Sequence, residues 1–214
     1  MIFTGSLLWA SSQGAAPSWT QGTWRIEDGV IDRIEERPGE LAGFAIPGFV
    51  DSHAHIGIGE HGGLSPACQL EQALAQRSTG VLAIRDCGSP VDTRWIDSRA
   101  DLPKLKRAGR HLARPKRYIR GLPIELEDVT ELPEALAEQA RHSDGWVKLV
   151  GDWIDRSKGA DSDLEPLWPA EVLVDAVAAA HEAGARVAVH SFAHSTIDDL
   201  LEAGVDDIEH ATGM

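Results

Sequence analysis

Pro47-Gly48-Phe49-Val50-Asp51-Ser52-His53-Ala54-His55 is the stretch on which the reading of the fold turns. Its apolar start predicts a strand over Phe49–Ile56, and residues two apart on a strand share a face. His53 and His55 therefore point the same way, and paired imidazoles suit a borderline divalent metal such as zinc. The pair alone is weak evidence. With 9 histidines in 214 residues, chance supplies about 0.4 pairs at that spacing. The company of the pair decides its meaning.

Downstream, strand and helix signals alternate. A helix is predicted over Pro66–Ser78, with Ser65 as N-cap, Pro66 in the first turn and Gly80 past the end. Val81–Asp86 reads as a second strand, Tyr118–Gly121 as a third, and Leu132–Arg141 as a helix. Trp146–Val150 is the fourth strand, followed by a long polar loop, Gly151 to Trp168. Helix Pro169–Ala183 carries Leu173, Val174, Val177 and His181 at helical spacing, which makes His181 a packing residue. Strand Arg186–His190, helix Thr196–Ala203 and strand Val205–His210 complete the series. Such alternation indicates an α/β fold with a parallel sheet. The basic run from Lys104 to Arg120 reads as a solvated connection.

Upstream the pattern is different. Ile2–Trp9, Trp24–Glu27 and Val30–Glu35 read as short strands, with Asp28-Gly29 as a hairpin turn and Ser11–Gln21 as a loop. The expected organisation is a small β unit over 1–46 and an α/β unit over 47–214. About six βα units are visible, whereas a closed barrel has eight in roughly 250 residues. The sequence is therefore expected to be part of a longer protein.

Three more side chains join the histidine pair. His190 ends the fifth strand and His210 the sixth, at the C-terminal ends where parallel α/β folds place their sites. Lys148 interrupts the apolar run Trp146-Val147-Lys148-Leu149-Val150. Burial would lower its pKa, and a neutral amine can take up carbon dioxide as an anionic carbamate, a ligand able to bridge two metals.

At this point a resemblance is visible. Pro47 to His55 resembles the opening signature of the amidohydrolase superfamily. Gly80-Val81-Leu82-Ala83-Ile84-Arg85-Asp86-Cys87-Gly88, His181 to His190, and Gly204 to His210 with Ile208-Glu209-His210 are similar to its imidazolonepropionase-like, metallo-dipeptidase branch. The resemblance implies a (β/α)₈ TIM-type barrel, incomplete here, joined to a small β-sandwich. It implies His53 and His55 as ligands of a first metal, His190 and His210 as ligands of a second, and carboxylated Lys148 as the bridge. The cofactors would be two divalent ions, zinc being favoured. The reaction would be hydrolysis of an amide-type C–N bond in a small molecule, a cyclic amide included. The implied strand-eight aspartate, a ligand and proton shuttle, would lie beyond residue 214, so the chain alone is expected to be inactive.

Rival readings have less behind them. Gly57-Ile58-Gly59-Glu60-His61-Gly62 fits the dinucleotide pattern GxGxxG, but Leu64-Ser65-Pro66 separates its glycines from the helix whose N-terminus would hold the phosphates. A non-catalytic remnant of the scaffold is the other alternative. His61 and His194 read as solvated, and nothing near Cys87 supports a nucleophile. Trp153, Asp155, Arg156 and Lys158 make the Gly151–Trp168 loop a candidate for substrate recognition. A net charge of −14 opposes nucleic-acid binding. Only Cys68 and Cys87 are present, which favours a reducing, cytoplasmic setting, and no stretch reaches the ~18 apolar residues of a membrane span. Substrate and oligomeric state stay open, a homo-oligomer included.

Overall fold

The computed structural model describes residues 1–10 and 14–214, which form two compact units, Met1–Gly48 and Phe49–Met214. The first is one four-stranded sheet in the order β3-β2-β1-β4, built from β1 (Ile2–Trp9), β2 (Ser18–Glu27), β3 (Val30–Ile34) and β4 (Leu41–Ala45). Asp28 and Gly29 turn β2 into β3 with positive φ, as the hairpin signal predicts. Phe3, Leu7 and Trp24 form its small core. Two expectations change here. Ser18–Gln21 belongs to β2 rather than to a loop, because it pairs with Ser6–Trp9 of β1; residues 11–13 lie outside the described residues. Leu41–Ala45, unassigned from sequence, pairs in parallel with β1.

The second unit begins with β5 (Phe49–Ala54), then β6 (Ile58–Gly59) and β7 (Gly62–Gly63), which pair with each other in antiparallel fashion. The glycine loop is thus a two-rung hairpin. It does not open α1 (Pro66–Ser78), whose N-terminus is capped by the Ser65 hydroxyl accepting from Cys68 N. The feature on which the dinucleotide reading depended, a glycine turn leading into a helix, is not formed.

The remaining strands are β8 (Val81–Asp86), β9 (Lys104–Arg107), β10 (His111–Ala113), β11 (Ile124–Glu125), β12 (Trp146–Val150), the hairpin β13 (Asp152–Ile154) with β14 (Leu164–Pro166), β15 (Arg186–Ser191) and β16 (Asp207–His210). The helices are α2 (Leu132–His142), α3 (Ala170–Glu182) and α4 (His194–Ala203). One sheet runs β5-β8-β9 and the other β11-β10-β12-β15-β16, all parallel. The third position of the series is a broken strand: β9 pairs with β8, β10 pairs with β12, and Ala108 to Arg110 joins them.

That broken strand corrects two expectations. Tyr118–Gly121 is not a strand; the strand residues lie earlier, within the run read as solvated. Leu105, Arg107, His111, Leu112 and Ala113 are buried. The basic residues misled because Arg107 is consumed internally: it donates to Thr93 O at 2.9 Å and Thr93 Oγ1 at 2.8 Å, and pairs with Asp97 and Asp144 at 2.8 and 3.0 Å. The Gly151–Trp168 segment is likewise not a plain loop, since it holds the β13–β14 hairpin and a 3-10 stretch, Arg156–Asp161.

The core explains the ordering of the series. Leu132, Leu136 and Ala140 on α2, and Leu173, Ala176, Val177 and Ala180 on α3, recur at helical spacing and cover Leu112, Val147, Leu149, Val187 and Val189 of the strands. Each fully buried Leu or Val contributes about 1.5–3 kcal/mol, so apart from Lys148 and His190 the buried positions of β12 and β15 are mostly apolar. His181 is not part of this core. It is exposed and bonds Asp206 at 2.8 Å, beyond the apolar stripe. Gly204 closes α4 in the left-handed region at φ 76°, which favours glycine. No helix among the described residues is long and apolar enough to cross a membrane.

Candidate metal centre

The parallel series delivers its polar side chains to one place. His53 and His55 come from the end of β5, Lys148 from the middle of β12, His190 from β15 and His210 from the end of β16. The imidazole rings form a chain: His55 to His53 at 5.4 Å, His53 to His210 at 4.7 Å, and His210 to His190 at 4.8 Å between centroids. Lys148 lies in register between His111 and Ala188. The series is not flat, because side chains of β5 and β16, its first and last strands, meet: Glu209 touches His53. All five residues singled out in the sequence are brought together.

Sequence reasoning missed a sixth. His111 opens β10, is fully buried and lies 5.5 Å from the His55 ring. The alternation Lys104-Leu105-Lys106 and the apolar pair Leu112-Ala113 were the available signals, and the charge density of the run hid them. Gly88 leaves room for the His111 ring. A Cβ there would stand 2.9 Å from it, and its φ of 110° excludes most side chains.

These groups are short of partners. Both ring nitrogens of His111, both of His190 and Nζ of Lys148 are buried with no hydrogen bond among the described residues. Buried polar atoms are nearly always bonded, so these orphan nitrogens, clustered at one sheet end, are chemically suited to hold a cation. Burial, then the neighbouring His210 and Lys148, push His190 down to about 3. Burial likewise lowers His55, His210 and Lys148, and lowers His111 well below its ordinary value. The imidazoles of His55, His111, His190 and His210 are therefore neutral near pH 7, the form in which histidine binds a metal. His55 Nδ1 lies 2.9 Å from Gly88 O. A carbonyl only accepts, so Nδ1 carries the proton and Nε2 keeps a free lone pair.

Glu209, quoted in the motif but not given a role, is the one acid in the group. Burial would raise it, but the hydrogen bond from His53 and the charge of Lys148 hold it at about 2. His53, Cys87 and Glu209 each place one ligand atom within 4.8 Å of the others. Cys87 itself is fully buried, and burial pushes its thiol up to about 12, the opposite of a nucleophile. His61 and His194 are exposed, and His194 bonds Gly213 O at 3.0 Å.

Aromatic side chains wall the group. Tyr118 lies 5.1 Å from His111 and 5.3 Å from His190, and Trp153 and Phe192 lie 5.3 and 4.3 Å from His190. Asp152, wholly buried, accepts from Ser191 Oγ at 2.7 Å and Phe192 N at 2.9 Å, which fixes the chain where it leaves β15. Tyr118 also lines a cavity of about 590 Å³ with Arg114, Arg117, Arg156, Glu165 and Leu167, although none of the histidines does.

No protein-family model matches the chain. It is 55% identical over 172 residues to uncharacterized proteins of Mycobacterium bovis (strain ATCC BAA-935 / AF2122/97) and Mycobacterium tuberculosis (strain ATCC 25618 / H37Rv), which covers 80% of this chain and 46% of theirs. The chain thus spans about half the length of these relatives. Among crystal structures, an amidohydrolase superposes with TM-score 0.69 and 20% identity over 98% of this chain and 60% of its own. A Xaa-Pro dipeptidase with bound methionine in its active site gives 0.68 and 19%, over 100% and 62%. The chain has the amidohydrolase fold. A third example, the A. niger ochratoxinase, reaches 0.68 at 15% identity over 98% of this chain and 59% of its own. The amidohydrolase resemblance read from the sequence thus agrees with the fold, on an α/β framework.

Proposed function

We propose that the chain carries the metal centre of an amidohydrolase that cleaves an amide-type C–N bond in a small molecule. The observation behind the reading is the cluster of buried nitrogens without partners on His111, Lys148 and His190, beside the free Nε2 of His55. In the assignment we favour, His53 and His55 would hold one divalent ion and His190 and His210 a second, with Lys148, as its carbamate, supplying an anionic ligand; zinc suits this nitrogen-rich donor set. When bound, such ions supply Lewis acidity towards water and the amide carbonyl.

The chain's own residues prepare for this. Lys148, biased towards the neutral amine by burial, has a nitrogen lone pair that can attack carbon dioxide; an N–C bond forms and a proton leaves to solvent. The resulting carbamate is anionic and offers two oxygens, which offsets the lack of any acid other than Glu209 among the clustered groups. Neutral His190 and His111 keep lone pairs at pH 7 because their pKa values are depressed. In this reading Tyr118, Trp153 and Phe192 would shield one side from water, and the Asp152–Pro166 hairpin, with Trp153, Asp155 and Arg156, would contact the substrate. Closure of the parallel series into an eight-stranded barrel, and the proton-shuttling aspartate of an eighth strand, belong to the same proposal. Because that aspartate has no counterpart assigned in residues 1–214, metal binding rather than turnover is the test of the centre.

The experiment is native mass spectrometry and elemental analysis of the 214-residue chain after equilibration with zinc. Two ions per chain are expected, falling in the His190→Ala variant. A chain that binds no zinc at micromolar concentrations would refute the reading.

A further inference from the structure

Glu209 is 5% exposed, and its two carboxylate oxygens face different partners. Oε2 meets Nδ1 of His53. Oε1 accepts from Arg85 Nη2 at 2.8 Å, with Cys87 Sγ at 3.2 Å and Lys148 Nζ at 3.9 Å. Arg85 is itself held on several sides: its Nε donates to Ser52 O at 2.6 Å, it pairs with Asp207, and its guanidinium lies 4.3 Å over the Trp146 ring. Three strands therefore converge on one carboxylate: β5 through His53, β8 through Arg85 and β16 through Glu209.

We infer that Glu209, backed by Arg85, is a positioning residue that holds His53 as its Nδ1–H tautomer and leaves Nε2 free for the site. The division of its oxygens is the argument. A cation bound directly by Glu209 would stand beside the guanidinium of Arg85 and the amine of Lys148, so the carboxylate is engaged as an acceptor and not available as a ligand. An acceptor at Nδ1 selects the tautomer protonated there. Gly88 O does the same for His55 with a neutral carbonyl. The two histidines of the Asp51-Ser52-His53-Ala54-His55 motif thus present the same nitrogen by different means, one fixed by a backbone oxygen and one by a charged side chain.

The inference rests on the proposed metal centre only for the use made of Nε2; the tautomer itself is read without metal. In the zinc-free chain labelled with ¹⁵N-histidine, long-range ¹⁵N–¹H correlation should show His53 protonated at Nδ1. Glu209→Ala should move His53 towards the Nε2–H form and weaken zinc binding about 10- to 100-fold, the usual cost of losing such a partner, with ions per chain unchanged. Glu209→Gln, which keeps an acceptor and the side-chain volume, should retain the tautomer and most of the affinity, and serves if the alanine variant does not fold. His53 found as the Nε2–H tautomer in the unaltered chain would overturn the inference. So would a fall in ions per chain in Glu209→Ala, which would make Glu209 a ligand. Failure of the unaltered chain to bind zinc, with His53 protonated at Nδ1, would overturn the proposed function and leave the His53–Glu209 pairing standing.

Discussion

Replacing Lys148 by methionine should make the metal-free protein more stable while weakening its hold on metal. Lys148 is 1% exposed, Nζ makes no hydrogen bond, and its nearest acid, Glu209 Oε1, stands 3.9 Å away. Were both groups charged, their attraction would be about 4 kcal/mol at an effective dielectric of 20. The cost of removing an ammonium from water is of the same size or larger, and the depressed amine pKa shows that burial wins. Methionine keeps the length of the stem and removes the polar end. Glu209 still has Arg85 and His53, so it is not left alone. The expected gain is about 1–3 kcal/mol, the penalty of an unsatisfied buried polar group, read by urea unfolding in the presence of a chelator. The sign with pH follows from linkage. A lysine whose folded pKa is lowered costs nothing above its ordinary value of 10.5, and the cost grows as pH falls below that value and the unfolded chain takes up its proton. The advantage of the variant should therefore be larger at pH 7 than near pH 10.5, where it disappears. Zinc should fall from two ions to at most one. A variant that loses 1 kcal/mol or more, or that still carries two ions, would refute this account of Lys148.

Acid should unfold the metal-free chain partly through His190. Its folded pKa near 3 lies below the ordinary 6.5, so its contribution is intact above pH 6.5 and is lost as pH falls towards 3. At pH 5 the loss is about 2 kcal/mol, and chemical denaturation at pH 7 and 5 should show His190→Leu losing less than the unaltered chain by that amount. Gly88→Ala should cost about 2–3 kcal/mol, because it combines a positive φ with a Cβ 2.9 Å from His111; a melting temperature within 1 °C of the parent would contradict the fit. Arg107→Met should destabilise by about 2–4 kcal/mol through its lost bonds to Thr93, Asp97 and Asp144, whereas the same change at Lys104, which is exposed, should have little effect.

Much of the α/β unit was legible because its signals were local. Ser65-Pro66 started α1, the Leu173–Val177 spacing marked α3, and β12 and β15 were apolar runs bounded by Gly145, Gly151 and Gly184. Histidines at strand ends were legible for the same reason, since strand polarity alone assigns them to one edge of the sheet. What stayed hidden depends on partners distant in sequence. Lys104–Arg107 carries three cations in four positions, and only Asp97 and Asp144, around a fold not yet known, make Arg107 a buried residue. His111 was lost with it. Leu41–Ala45 is a strand because β1 offers it an edge, and nothing in Leu-Ala-Gly-Phe-Ala alone demands that. Glu209 was visible as a letter in a motif, but its part in the site appears only when β5 and β8 stand opposite it.

His53 and Glu209 are 156 residues apart, and the contact between them joins the first and last strands of the series. Loop closure over that length costs entropy that only a nearly finished structure repays. A centre built on this contact would therefore form late, after α2 and α3 have covered the middle strands. A partly folded chain would hold scattered histidines but no cage, so tight metal capture would report that every strand from β5 to β16 has found its place. Fraying at either end would release that grip before the central core of β12 and β15 had loosened.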